Sequence, residues 1–105
     1  GSTLEEVGFD KSTTSEAREA LIAEARRLIP ALKGFEIEHH WAGLRPASPD
    51  GIPYIYKDQK YNGLYVNTGH FRNGVVLGPA SARLMADIVL GKQPILDTKP
   101  YNIYV

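Results

Sequence analysis

The sequence of 105 residues has no cysteine and no net charge, since 12 basic residues balance 12 acidic ones. Without cysteine, a disulfide framework, a thiol nucleophile and cysteine-ligated zinc or iron–sulfur sites are excluded. The balanced charge argues against a nucleic-acid partner, because phosphate binding depends on an excess of lysine and arginine. What is present, 43% hydrophobic and 23% charged residues, is the composition of a globular domain rather than a disordered tail.

Long apolar runs are also missing. The run 20–23 is far too short to span a bilayer, so no membrane span is predicted. No basic stretch followed by an apolar one marks a secretion leader, and we expect a cytoplasmic protein. The length fits one small domain or part of a larger one, and a first residue other than methionine indicates a piece of a longer chain.

The hydrophobic pattern predicts an α+β fold with two main helices and mostly antiparallel strands. Thr13 and Glu16 fit a capping box for a first helix that ends by about Ile29. A second helix is predicted over residues 77–90, with Pro79 in its first turn, Ala80, Leu84 and Ile88 as its apolar stripe and Gly91 as its stop. Strands are predicted near the N terminus and over residues 35–44, 53–56 and 64–68.

Two places in the sequence suggest a binding site. Arg45 follows an apolar strand pattern and precedes a proline-rich loop, where its guanidinium can bind a carboxylate through two parallel hydrogen bonds. The alternative is a surface arginine paired with a local acid such as Asp50. Residues 67–74 run from a predicted strand through a glycine-bounded loop towards a helix, an arrangement that aims N–H groups and a helix dipole at one spot. A plain turn before a capped helix is the alternative there.

No metal site and no catalytic side chain is predicted. His39 and His40 are neighbours in a predicted strand and point to opposite faces, so they do not share one ion. His39 shares a face with Trp41 and is interpreted as a packed residue. His70 has no histidine or carboxylate at a metal-ligand spacing, and no triad or carboxylate pair can be argued from spacing.

Two segments, taken together and in this order, are specific. The first is Trp41-Ala42-Gly43-Leu44-Arg45-Pro46 followed by Asp50-Gly51-Ile52-Pro53-Tyr54-Ile55. The second runs from Gly63 to Ala80 and contains Gly69-His70-Phe71-Arg72-Asn73-Gly74. Both resemble the C-terminal part of the FAD-dependent D-amino acid oxidase family, and within it the glycine oxidases of thiamine biosynthesis.

The resemblance implies site residues. Arg45 matches the arginine that holds the substrate's carboxylate, and Arg72 matches a second substrate-binding residue on the active-site side of the flavin. The helix that follows would point its N-terminus at the pyrimidine end of the flavin. The residues implied to bind FAD are Gly69, His70, Phe71, Arg72, Asn73, Gly74, Val75, Val76 and Leu77.

The resemblance also implies an activity. A flavin-dependent amine oxidase oxidises glycine or another small amino acid to the imine by hydride transfer to FAD, and peroxide forms when oxygen reoxidises the flavin. Residues 1–62 would belong to the substrate-binding domain, residues 63–91 would be a returning strand and helix of the FAD-binding domain, and residues 92–105 a C-terminal tail.

The family's nucleotide-binding unit with its GxGxxG loop is absent from this sequence. We therefore expect a fragment of a two-domain enzyme that binds FAD poorly and is inactive alone, with the remainder of the enzyme as its partner. Exposed strand edges would favour self-association. The alternative is a free-standing, non-catalytic α+β binding or interaction domain that has lost the flavin site.

Overall fold

The computed structural model describes residues 2–104, which contain two helices and one antiparallel pair of strands. In chain order these are α1 (Ser15–Leu28), β1 (Tyr54–Lys57), β2 (Tyr65–Thr68) and α2 (Gly74–Val89), with 3₁₀ turns at Pro30–Gly34 and Lys99–Tyr101. This confirms the predicted α+β class. The chain divides into two compact units, Gly1–Leu44 and Arg45–Val105. Neither described helix combines the length and the apolarity needed to cross a membrane.

The first unit is built around α1. The N-cap is Thr14, whose hydroxyl accepts the N–H of Ala17 at 3.2 Å, so the predicted capping box at Thr13 is wrong by one residue. Thr14 has the extended backbone that an N-cap requires, and its short side chain reaches back to the first turn. The helix ends at Leu28 because Pro30 starts a 3₁₀ turn, which confirms the predicted end.

The predicted strand over residues 35–44 is wrong, and so is the one near the N terminus. The described residues 35–44 form no ladder, and Phe35 and Trp41 are exposed. Alternating side chains supply a face for a strand, but a strand also needs a neighbouring chain to bond its N–H and C=O groups, and none pairs with this segment in the described structure. The interpretation that His39 and Trp41 share one face depended on that strand.

The second unit is a hairpin covered by α2. β1 and β2 pair antiparallel, with Tyr54 opposite Thr68 and Lys57 opposite Tyr65. The helix packs on this hairpin, and Ile55 of β1 and Leu84 of α2 are 2% and 1% exposed. These two side chains form the centre of the core.

Helix α2 begins at Gly74, three residues before the predicted start. The carbonyl of Asn73 accepts the N–H of Leu77 at 2.8 Å and closes the first turn, so Pro79 lies inside the helix rather than in that turn. The proline is tolerated near a helix start because it removes only one donor, the one that would serve the carbonyl of Val75. The helix ends at Val89, and Gly91, with φ +62°, follows the Leu90 cap as predicted.

The buried face of α2 consists of Ser81, Leu84 and Asp87. The predicted stripe is therefore correct only at Leu84, since Ala80 is exposed and Ile88 is half-buried. Two polar residues on a packed face imply that each has a partner, and Asp87 accepts a hydrogen bond from Arg83 Nε at 3.1 Å.

The C-terminal tail lies on the hairpin and is held there by Tyr104. The hydroxyl of Tyr104 donates to Asp58 Oδ2 at 2.8 Å, and its ring meets Tyr56 edge-on with centroids 5.7 Å apart. Because neighbours in a strand point to opposite faces, Tyr56 lies on the face of β1 opposite Ile55. The hairpin is therefore covered on one face by α2 and on the other by the tail.

We expect acid to release this tail. The pKa of Asp58 lies below its ordinary value of 3.8, first because of the Tyr104 hydrogen bond and then because of the N–H of Tyr61. A lowered carboxyl pKa stabilises the folded state above 3.8, and this contribution is lost as the pH falls through the lowered pKa. Tyr104→Phe should raise hydrogen exchange of residues 99–104 at neutral pH and remove most of its acid dependence. Tyr61→Phe, which keeps its N–H, is the control, and an unchanged acid dependence in Tyr104→Phe would reject the contact.

Candidate functional site

The two segments that the sequence singles out meet in the second unit. After β2 the chain turns at Gly69 and runs antiparallel to the start of the unit, where His70 forms a bridge with Ala47. The N–H of Phe71 donates to the carbonyl of Pro46 at 3.0 Å. Since Arg45 precedes Pro46 and Arg72 follows Phe71, this one backbone hydrogen bond joins the segments that carry the two arginines.

A buried glycine fixes the turn after β2. Gly69 has φ +80°, and a Cβ added there would lie 3.3 Å from Cβ of Ser48. The hydroxyl of Ser48 donates to the carbonyl of Ile52 at 2.6 Å, and the carbonyl of Ser48 accepts from Gly51. The loop after Arg45 is thus folded around Ser48, and the turn at Gly69 packs directly on it.

Residues 69–73, the 69–73 loop, hold one strained residue. Phe71 has φ +49°, a left-handed conformation that costs a non-glycine residue about 1–2 kcal/mol. Its N–H is bonded to Pro46, and the N–H of Asn73 donates to the carbonyl of His70 at 3.0 Å. The side chain of His70 lies against α2, with Nε2 2.8 Å from the hydroxyl of Ser81. Such strain persists only where neighbouring contacts hold it.

The start of α2 presents free donors beside apolar side chains. The N–H groups of Gly74, Val75 and Val76 precede the first intrahelical donor, Leu77, and the side chain of Asn73 does not cap them. No acidic residue lies in the first turn. Val75 is 95% exposed and Val76 81% exposed. This helix end therefore offers N–H groups and a positive partial charge at the surface.

The predicted site residues differ in their exposure to solvent. Gly69 is buried, while His70, Phe71 and Gly74 are half-buried and shape the loop. The exposed ones, which a ligand can reach, are Arg45, Arg72, Asn73, Val75, Val76 and Leu77. The assigned roles stay predictions.

The sequence analysis did not identify Ser48 and Ser81, two buried serines that contact the 69–73 loop. Gly69 packs on Ser48, and the side chain of His70 contacts Ser81. Ser81 lies three residues before Leu84 and so shares its face of the helix. The predicted stripe repeats every four residues, whereas the buried face of the helix repeats every three, so this polar residue was not expected at a core position. Nothing in the sequence around Ser48 indicates its role, because Gly69 comes to pack on it only when the hairpin brings the chain back.

Within residues 2–104, no group of three histidine, aspartate or glutamate side chains is placed to hold a metal ion.

A profile of the DAO family, described as FAD dependent oxidoreductase, matches residues 1–88. Glycine oxidase of Pseudomonas aeruginosa is 56% identical over 101 residues, which is 96% of this chain and 28% of that protein. The crystal structure of glycine oxidase from Geobacillus kaustophilus matches with a TM-score of 0.76 at 34% identity, over 90% of this chain and 26% of that one. L-amino acid deaminase from Proteus vulgaris matches with a TM-score of 0.71 at 33% identity, over 89% of this chain and 22% of that one.

The chain thus spans 28% or less of the length of these relatives. The matched region includes Arg45, the 69–73 loop and nearly all of α2. Because the family profile covers residues 1–88 of 105, the chain belongs to the DAO family of FAD dependent oxidoreductases.

Proposed function

We propose that this chain is the C-terminal segment of a flavin-dependent amine oxidase that converts glycine or another small amino acid to its imine. The observation that carries this is the Pro46–Phe71 hydrogen bond, which joins the segment of Arg45 to the loop that leads into the open start of α2. One arginine suited to a carboxylate and one helix end suited to an electron-rich ring are thereby linked. The glycine oxidase names of the relatives support the substrate class.

The start of α2 fits the flavin of FAD in its chemistry. The pyrimidine edge of a flavin carries carbonyl oxygens and gains negative charge on reduction, and the N–H groups of Gly74, Val75 and Val76 are uncapped donors at a positive helix end. The exposed valines would contact the apolar part of the ring. These residues would hold the cofactor, and bound FAD supplies the oxidation of amine to imine, with dioxygen reduced to hydrogen peroxide.

The arginines would bind and orient the amino acid. Arg45 would hold the carboxylate through two parallel N–H···O bonds, which fixes the direction of the amine-bearing carbon. Arg72 would add a second positive group from the other side of the Pro46–Phe71 hydrogen bond. A carboxylate bound by both guanidinium groups would be restricted in position, and the amine-bearing carbon bonded to it would be restricted with it.

The test is a chimera in which this chain replaces the 101 aligned residues of the Pseudomonas aeruginosa glycine oxidase. We expect a yellow protein that retains flavin after desalting and forms hydrogen peroxide from glycine, whereas the 105-residue chain alone is inactive. A colourless chimera would reject the proposal and favour a non-catalytic binding domain.

Val75→Asp in the chimera tests whether the start of α2 contacts the flavin. A carboxylate in the first turn stabilises a helix but repels an electron-rich ring, so we expect FAD to bind about tenfold or more weakly with an unchanged or higher melting temperature. Val75→Asn, of the same size without the charge, is the control. Equal FAD affinity in the two variants would place the flavin away from this helix start.

A further inference from the structure

The imidazole of His70 is hydrogen-bonded to a buried side chain of α2. His70 is half-buried, its Nε2 lies 2.8 Å from the hydroxyl of Ser81, and Ser81 is 6% exposed. Cβ of His70 lies under the first residue of α2, where a Cβ added to Gly74 would be 3.5 Å away. The side chain of His70 therefore contacts the inner side of the helix, which leaves its backbone for the flavin contact that the resemblance implies.

We propose that His70 is a positioning residue, which through Ser81 locks the 69–73 loop onto α2 and so fixes both the direction of Arg72 and the start of the helix. This rests on the proposed function, because it concerns the same flavin and substrate site. It differs from that function in assigning the side chain of His70 no contact with either ligand.

The contact of His70 with Ser81 is important because the backbone of Phe71 is strained and has to be held by its neighbours. Three contacts hold it: the N–H of Phe71 on Pro46, the N–H of Asn73 on His70, and the side-chain contact of His70 with Ser81. The first two lie within the loop and its neighbouring segment. Only the third ties the loop to the interior of the helix whose first turn offers the free N–H groups.

Removal of this contact gives Phe71 freedom to relax to an ordinary negative φ. A change of φ at Phe71 swings the following residue, Arg72, and shifts the path of the chain into Gly74. The hydroxyl of Ser81 would at the same time lose its partner in the interior. The loss should therefore appear at the flavin and at the substrate, although the proposal assigns the side chains of His70 and Ser81 no contact with either.

The experiment is a double-mutant cycle in the chimera with His70→Ala, Ser81→Ala and both together. We expect each single variant to bind FAD about tenfold more weakly, to change the shape of the visible flavin band and to raise KM for glycine more than it lowers kcat. The double variant should be no worse than either single one. His70→Gln, which keeps a side-chain amide of similar reach, should restore most of the binding and the band shape.

Asp87→Asn is the matched control for a purely structural effect. Asp87 is 2% exposed on the same buried face of α2 as Ser81, and its carboxylate is paired with Arg83. This change should lower the melting temperature without altering the flavin band.

The outcomes separate the two proposals. A colourless unsubstituted chimera rejects the proposed function and this inference with it. A yellow, active chimera in which the single effects add, or in which His70→Ala lowers only the melting temperature, rejects the positioning role alone. If His70→Ala does not fold, Ser81→Ala and His70→Gln decide: an unchanged flavin band in Ser81→Ala overturns the inference.

Discussion

We expect Arg45→Ala to raise the KM for glycine by about a hundredfold in the chimera and to leave the bound flavin in place. In the proposed role Arg45 makes two charge-assisted hydrogen bonds to the substrate carboxylate, each worth about 1.5–3 kcal/mol, so their removal should cost about 3 kcal/mol of substrate binding. Steady-state kinetics together with the flavin absorbance of the desalted protein measure both parts of this result. Arg45→Lys should give a KM between those of the unsubstituted chimera and Arg45→Ala, because an ammonium group keeps the positive charge but lacks the two parallel N–H donors of a guanidinium.

A second arginine provides the control for Arg45. Arg27 is exposed on α1 and is paired with Glu24 at 2.6 Å, so Arg27→Ala removes the same charge far along the chain from the site. It should leave KM unchanged. Loss of flavin with an unchanged KM in Arg45→Ala would contradict the substrate role of Arg45. An equal rise of KM in Arg27→Ala would show that the effect of Arg45→Ala comes from the change in net charge.

We expect Gly69→Ala to destabilise the second unit by about 2 kcal/mol or more. The left-handed backbone costs an alanine about 1–2 kcal/mol, and its Cβ would lie 3.3 Å from Cβ of Ser48, which is itself buried and held by Ile52. Denaturant unfolding of the chain followed by circular dichroism measures the change. Among the glycines of residues 2–104, Gly69 combines a positive φ with the shortest contact of an added Cβ, so a single methyl group should have its largest effect there.

Gly78→Ala is the matched substitution with the opposite sign. Gly78 lies inside α2, and a Cβ there meets nothing within 4 Å. Alanine loses less conformational entropy than glycine in a helix, so we expect a gain of about 0.5–1 kcal/mol. If Gly69→Ala and Gly78→Ala unfold at the same denaturant concentration, the turn after β2 does not have the described backbone.

The elements that the sequence predicted correctly are those with local causes. Helix α1 carries its cap and its stop within residues 14–30, and the hairpin strands are short apolar runs bounded by turn residues. The strand over residues 35–44 failed because pairing is not local. Alternation at Phe35 and Trp41 is a condition for a strand, but the partner is a matter of the whole fold.

The site could be predicted as two segments but not as one assembly. Arg45 and the 69–73 loop were identified by their residues, whereas the bridge of Ala47 with His70 follows only from the return of the hairpin. The early start of α2 was hidden because Pro79 is typical of a first turn. Ser81 was missed for a different reason, since the apolar side chains at 80, 84 and 88 suggested another face of the helix, and the side-chain contact of His70 with Ser81 therefore had no signal in the sequence.

The division of the chain between Leu44 and Arg45 has a consequence for recombination. A crossover at this point would exchange Arg45, the 69–73 loop and α2 as one inherited block, with the Pro46–Phe71 hydrogen bond intact. A crossover inside the hairpin would instead combine the arginine of one parent with the loop of another, and the fit of Gly69 on Ser48 would have to be found again. Libraries shuffled at residue 44 should therefore retain function far more often than libraries shuffled at residue 60.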